Sequence, residues 1–212
     1  MANTHVFSKE EELSNSITHG IGVLLSIAAL VILIVFAALY GNVWHVISFT
    51  LFGVTMLLLY TSSTLLHSLP PGRAKDFFEI MDHSSIYFFI AGSYTPYLLV
   101  TIQGKAGWTL FGIVWGLAIG GTIFKTFFVK KYLFTSTLLY VVMGWLIVFV
   151  WNDLSANLPS ISLLLLIIGG LLYTFGAVFY IWKLFKHHHA VWHVFVLGGT
   201  VCHFFSILYL LP

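Results

Sequence analysis

Charge and cysteine are both scarce in this chain. Asp, Glu, Lys and Arg make up only 8% of its 212 residues, where a soluble domain carries roughly a quarter. So few ionic side chains cannot cover the surface of a water-soluble fold of this length. The single cysteine, Cys202, stands inside an apolar run, so no intramolecular disulfide can form. Cysteine usage therefore says nothing about redox compartment. There is no basic stripe either, and the net charge is only +2. The electrostatic footprint of a nucleic-acid binder is absent, and no nucleic-acid partner is expected. Long polar linkers are missing as well, so a second domain has nowhere to sit. A cleavable signal peptide is not expected. The chain opens with the polar stretch Lys9, Glu10, Glu11 and Glu12, and the apolar run after it is too long for a signal sequence.

What is present is apolar side chain, 59% of the chain, at a mean hydropathy of +1.00. Seven runs stand out: Ile17–Leu39, His45–Leu66, Ile80–Thr101, Trp108–Phe124, Tyr132–Trp151, Ile161–Trp182 and Ala190–Leu211. Each can cross a hydrocarbon core ~30 Å thick as a helix. The runs are continuous rather than alternating, which excludes a β-barrel. The expected fold is an all-α polytopic membrane protein, a single seven-helix bundle over residues 17–212 after a short segment 1–16. With the N-terminus inside, the inner segments hold Lys9, Arg73, Lys75, Lys125, Lys130, Lys131, Lys183 and Lys186, and the outer ones only Lys105. That asymmetry predicts a cytoplasmic N-terminus and an external C-terminus. Gly112, Gly116 and Gly120, four residues apart, read as a helix-packing face. So do the pairs Gly120–Gly121, Gly169–Gly170 and Gly198–Gly199. Pro96 is expected to kink the third span.

Four ionisable groups fall within or at the ends of apolar runs and near one membrane face: His67, Asp82, His189 and His193. Such groups are costly at membrane depth and mark function. His189 and His193, four residues apart, share one helical face one turn apart. His67 closes the second span and Asp82 opens the third at the same level. Three imidazoles and one carboxylate match the donor set of a zinc site with an open position, against the plainer reading of hydrogen bonding between helices. Ala190 stands where the soluble metalloprotease motif carries a Glu, so a general base must come from elsewhere. Ser63, one turn before His67, is placed to orient it or its bound water, or to bond between helices. His203 lies ~15 Å deeper than His193 by helical rise and reads as a core histidine. His83 points ~100° away from Asp82 around the helix and is left out of the site. His45 and His5 read as interfacial or solvated, and His19 has no assigned role.

The order of these motifs is Glu12-x-x-Asn15-x-x-Thr18-His19, then Ser63-x-x-x-His67. Next come Asp82-His83-Ser84-Ser85 with Gly92-Ser93-Tyr94-Thr95-Pro96, and last His189-x-x-x-His193 with His203-Phe204. It resembles the bacterial hemolysin III family, grouped with the progestin and adiponectin Q receptors (PAQR) and more distantly with the alkaline ceramidases. The resemblance implies a seven-helix bundle holding a zinc ion near the cytoplasmic face. His67, His189 and His193 would be its ligands, Asp82 would contact it through water, and Ser63 matches the family serine. A zinc ion held by three neutral imidazoles keeps a position for water and acidifies it. Asp82 then suits the role of base. The expected activity is hydrolysis of an amide- or ester-linked membrane lipid, which makes lipid the expected partner. The alternatives are a receptor-like sensor with a structural zinc site, or a hemolysin-type cytolytic protein. The spans are too apolar to line a pore.

Overall fold

The computed structural model describes residues 7–183 and 185–212; His5 lies outside them. Every regular element among the described residues is a helix. Ser8 starts α1 (Lys9–Tyr40) through a capping box: its hydroxyl accepts from the Glu11 amide, and the Glu11 carboxylate accepts from the Ser8 amide. Asn42 caps α2 (Val43–Ser68) in the same reciprocal way with His45. The next span begins as α3 (Arg73–Pro96) and runs on through a π-helical stretch, Tyr97–Ile102. Pro96 has no N–H to give, and the backbone widens immediately after it. Gln103 and Gly104 then turn the chain sharply with left-handed φ of 52° and 54°, and the glycine takes that conformation without a steric penalty.

The remaining spans are α4 (Gly104–Phe128), a broken helix, α7 (Ser160–Ile181) and α8 (His188–Leu208). The broken helix consists of α5 (Leu133–Gly144), a 3₁₀ stretch over Trp145–Val150 and α6 (Trp151–Asn157). Counting it once, seven spans among the described residues are long and apolar enough to cross a membrane. The second, fourth, sixth and seventh keep close to the expected runs, and the fifth runs on past Trp151 to Asn157. The first and third begin seven or eight residues earlier than hydropathy places them, because their first turns are polar but helical.

The outside of the bundle is apolar, with Leu24, Phe127 and Phe149 70–78% exposed. That suits lipid rather than water. The third span is the axis, 67% buried over its apolar window against 22% for α4, the broken span and α7. Helix α2 packs on both α1 and α3, and α7 on α8.

Three sequence readings change here. Gly112, Gly116 and Gly120 face open space, so no helix among the described residues packs on that stripe. Close approach occurs instead at Gly121 against the Tyr87 ring and at Gly199 against Tyr173. Lys125, counted in a loop, is fully buried on α4, and the orientation count without it is seven Lys and Arg against one. His45 is buried rather than interfacial: it accepts from the Asn42 amide at 3.1 Å and bonds the Leu210 carbonyl at 3.2 Å.

Candidate metal centre

Three helix ends meet where α2 finishes and α1 and α8 begin. His67 sits on the last turn of α2, and His189 and His193 on the first two turns of α8. One ligand nitrogen from each lies within 4.8 Å of the others, and all three residues are buried. Their ring centroids are 4.5–5.4 Å apart. The structure thus brings together the three histidines that the sequence singled out.

Their partners fix how two of the rings point. The Glu12 carboxylate lies 2.6 Å from His67 Nδ1. A carboxylate only accepts, so Nδ1 carries the proton and Nε2 carries the lone pair. Glu12 is itself held by Lys75, whose ammonium reaches it at 2.8 Å and also caps the Leu66 and Leu69 carbonyls at the end of α2. His193 Nδ1 lies 3.2 Å from the Asn15 carbonyl and 3.1 Å from the Thr18 hydroxyl. That hydroxyl already donates to carbonyls of its own helix. Nδ1 of His193 is therefore the donor, and its Nε2 lone pair is exposed to the cluster. His67 Nε2 and His193 Nε2 are both buried with no hydrogen-bond partner among the described residues. Two lone pairs buried without donors, with a third imidazole beside them, fit a metal ion that takes nitrogen ligands. The start of α8 is held in place by the Glu11 carboxylate, which accepts from the His187 amide at 3.2 Å.

Asp82 is buried on α3 beside this group, in electrostatic contact with His67, with Ser63 close to its carboxylate. Ser63 is buried, and its hydroxyl makes no hydrogen bond within ordinary reach. Lys125 and Glu79 add to the charged surroundings of Asp82, and His83 Nδ1 lies 3.7 Å from its carboxylate. Outside the histidine triad are His203, whose Nε2 meets the Leu166 carbonyl at 3.3 Å, and His83. His83 Nδ1 donates to the Glu79 carbonyl at 2.8 Å, leaving Nε2 to accept from the Tyr180 hydroxyl at 3.2 Å.

Two cavities flank the centre. One, of about 910 Å³, opens at the N-terminal end of the bundle and includes His67, Asp82 and His189 in its wall. The other, of about 150 Å³, is almost wholly apolar and runs between α3, α5, α7 and α8. Tyr180 lines both.

Sequence reasoning named several supporting residues without giving them a role in the site: Glu12, Asn15 and His19 only as motif residues, and Lys75 and Lys125 only as inner cations. A signal for the first group was present. Glu12, Asn15 and His19 follow a three- and four-residue spacing, which puts them on one helical face.

A family model described as "Haemolysin-III related" matches residues 7–204. The chain belongs to that family. It is 56% identical over 204 residues to the "Hemolysin-3 homolog" of Bacillus subtilis, covering 96% of each chain. It is 52% identical to "Hemolysin-3" of Bacillus cereus over 204 residues, 96% of this chain and 93% of that one. Against the human "Monocyte to macrophage differentiation factor" it is 29% identical over 203 residues, 93% of this chain and 83% of the human one. No solved structure gives a match. The haemolysin-III chain is thus a multi-pass membrane protein of the PAQR type, placed in the plasma membrane in bacteria, with a histidine triad able to hold a metal ion.

Proposed function

We propose that this protein is a zinc-dependent hydrolase of an amide- or ester-linked membrane lipid, with its N-terminus and histidine triad on the cytoplasmic side. The observation that carries the reading is the placement of the triad. Two buried, unpartnered imidazole lone pairs lie beside a buried carboxylate and next to a long apolar cavity. An imidazole-only set suits zinc among other transition metals. A three-histidine site leaves a coordination position free, unlike the four-ligand sites that serve structure alone.

His67, His189 and His193 hold the ion. When bound, zinc supplies Lewis acidity, polarising a carbonyl and acidifying water. Asp82 accepts the proton from the attacking water and returns it to the leaving amine or alcohol. Ser63 orients Asp82 or that water through its spare hydroxyl. Glu12, Asn15 and Thr18 keep His67 and His193 in the ligating tautomer. The apolar cavity takes the acyl chain. Along α5 and the 3₁₀ stretch its lining runs from Thr137 to Trp151, which is ~24 Å by the rise of the two helix types. Such a slot fits a chain, not a compact solute.

The test is fatty-acid release by purified, zinc-loaded protein in liposomes carrying a broad panel of N-acyl and O-acyl lipids. Release that Asp82→Asn abolishes while the metal is retained supports the reading. No release from any lipid of the panel overturns it.

A further inference from the structure

His19 lies beside the triad, and the proposed chemistry does not use it. It is 1% exposed. Its ring stacks on His193 with centroids 3.4 Å apart and planes 12° apart. Neither of its nitrogens has a hydrogen-bond partner among the described residues. A buried polar atom left unpaired is costly, so a donor and an acceptor stranded on one ring need explaining. His19 also lines the apolar cavity. Several other polar side chains of that wall are already used, although His203 Nδ1 is also bare among the described residues. The hydroxyls of Ser93, Thr137 and Thr174 close on carbonyls of their own helices, and those of Tyr94 and Tyr140 on carbonyls of neighbouring ones. His203 spends one nitrogen on Leu166.

We propose that His19 is a specificity-determining residue: one of its ring nitrogens receives the carbonyl or the N–H of an acyl-chain ligand where the apolar cavity meets the ring stacked on His193. The ring is well placed for this. Its face is held against His193 and the ring stands edge-to-face with Tyr60, centroids 5.0 Å apart, so its orientation is set while both nitrogens stay unbonded among the described residues. A neutral imidazole offers one donor and one acceptor, matching an amide-like linkage and discriminating against a bare hydrocarbon. The inference rests on the acyl-chain reading of the cavity, but not on hydrolysis.

The test uses full-length, metal-loaded protein in nanodiscs and two fluorescent probes of equal chain length. One ends in an N-alkyl urea, which keeps a carbonyl and N–H and resists hydrolysis; the other is a plain hydrocarbon. His19→Phe keeps the stack and removes the nitrogens, whereas His19→Gln keeps a donor and an acceptor. Loss of this hydrogen bond should weaken urea-probe binding about 10-fold in His19→Phe, with His19→Gln and the hydrocarbon probe little changed. Metal content should stay at the wild-type level in both variants. Equal urea affinity in His19→Phe, equal loss for both probes, or loss of metal would overturn the assignment to substrate recognition. If His19→Phe does not fold, ¹⁵N-histidine spectra of the wild type decide. The His19 resonance should move when the urea probe binds, and an unmoved resonance overturns the proposal. A wild type that binds the urea probe through His19 yet releases no fatty acid sinks the hydrolase reading alone.

Discussion

Helix α2 carries a buried histidine near each end, and the two differ in one respect. His45 has both ring nitrogens engaged, with the Asn42 amide and the Leu210 carbonyl. His67 has one engaged by Glu12 and the other left bare. The first ring ties a helix start to the C-terminal segment and is complete within the chain. The second is complete only with something the chain does not supply. Burial alone marks both residues, and only the count of satisfied nitrogens separates a structural histidine from a ligating one.

The most forceful way to break this comparison is to delete each ring. His67→Ala, His189→Ala and His193→Ala should each lower zinc affinity by more than ~100-fold, beyond the loss typical of a supporting partner. His45→Ala should leave metal content intact while lowering stability by ~0.5–1.5 kcal/mol, since it removes part-buried hydrogen bonds to the Asn42 amide and the Leu210 carbonyl. Elemental analysis of purified protein and thermal unfolding in detergent separate the two outcomes. Equal metal content in His67→Ala and His45→Ala would erase the distinction.

Asp82→Asn should reduce fatty-acid release by ~10²–10⁴-fold, the usual worth of a positioned base, without changing metal content. Glu12→Gln should act more mildly. It loses the charge that orients His67, and zinc affinity should fall ~10–100-fold. A Glu12→Gln protein with unchanged zinc affinity would show that the 2.6 Å contact is mere proximity. Acidification acts on all three ligands at once. Imidazoles bind metal only when neutral, and their ordinary pKa is ~6.5, so zinc should be retained at pH 7.5 and released toward pH 5. Retention unchanged across that range would argue against a three-imidazole site.

The spans and the triad were legible in the sequence because each has a local signature. Hydropathy marks a span, and spacing puts His189 and His193 on one face. What stayed hidden is what depends on neighbours. Hydropathy starts the first span at Ile17, yet the Ser8 capping box starts the helix at Lys9. That extra length carries Glu12 and Asn15 to His67 and His193. Lys125 looked like a loop cation because charge is normally found there, but α4 extends past it and turns it inward toward Asp82. The glycine stripe on α4 has the period of a packing face, but period cannot reveal that the face has no partner among the described residues.

The same end of the bundle supplies a contrast in how carboxylate pairs behave. Glu12 meets a histidine whose side chain is 3% exposed, whereas Lys130, between α4 and α5, meets Asp76 at 3.0 Å with side chains 42% and 62% exposed. The hydrogen bond to Asp76, with Glu79 beside it, holds the Lys130 ammonium above the ordinary lysine value. A cation whose pKa is raised on folding stabilises at every pH below the unfolded value, and that contribution fades as pH rises through the folded value. The Lys130 contribution should therefore be flat from pH 5 to 9 and decline only in strong alkali, unlike zinc retention, which fails on the acid side. Solvent screening keeps it small, ~0.2–1 kcal/mol. Lys130→Ala should thus lower the unfolding midpoint slightly at pH 7 and leave zinc content untouched. If it instead strips the metal, the rim and the triad form one network, and the division between a screened surface pair and a buried ligand pair fails.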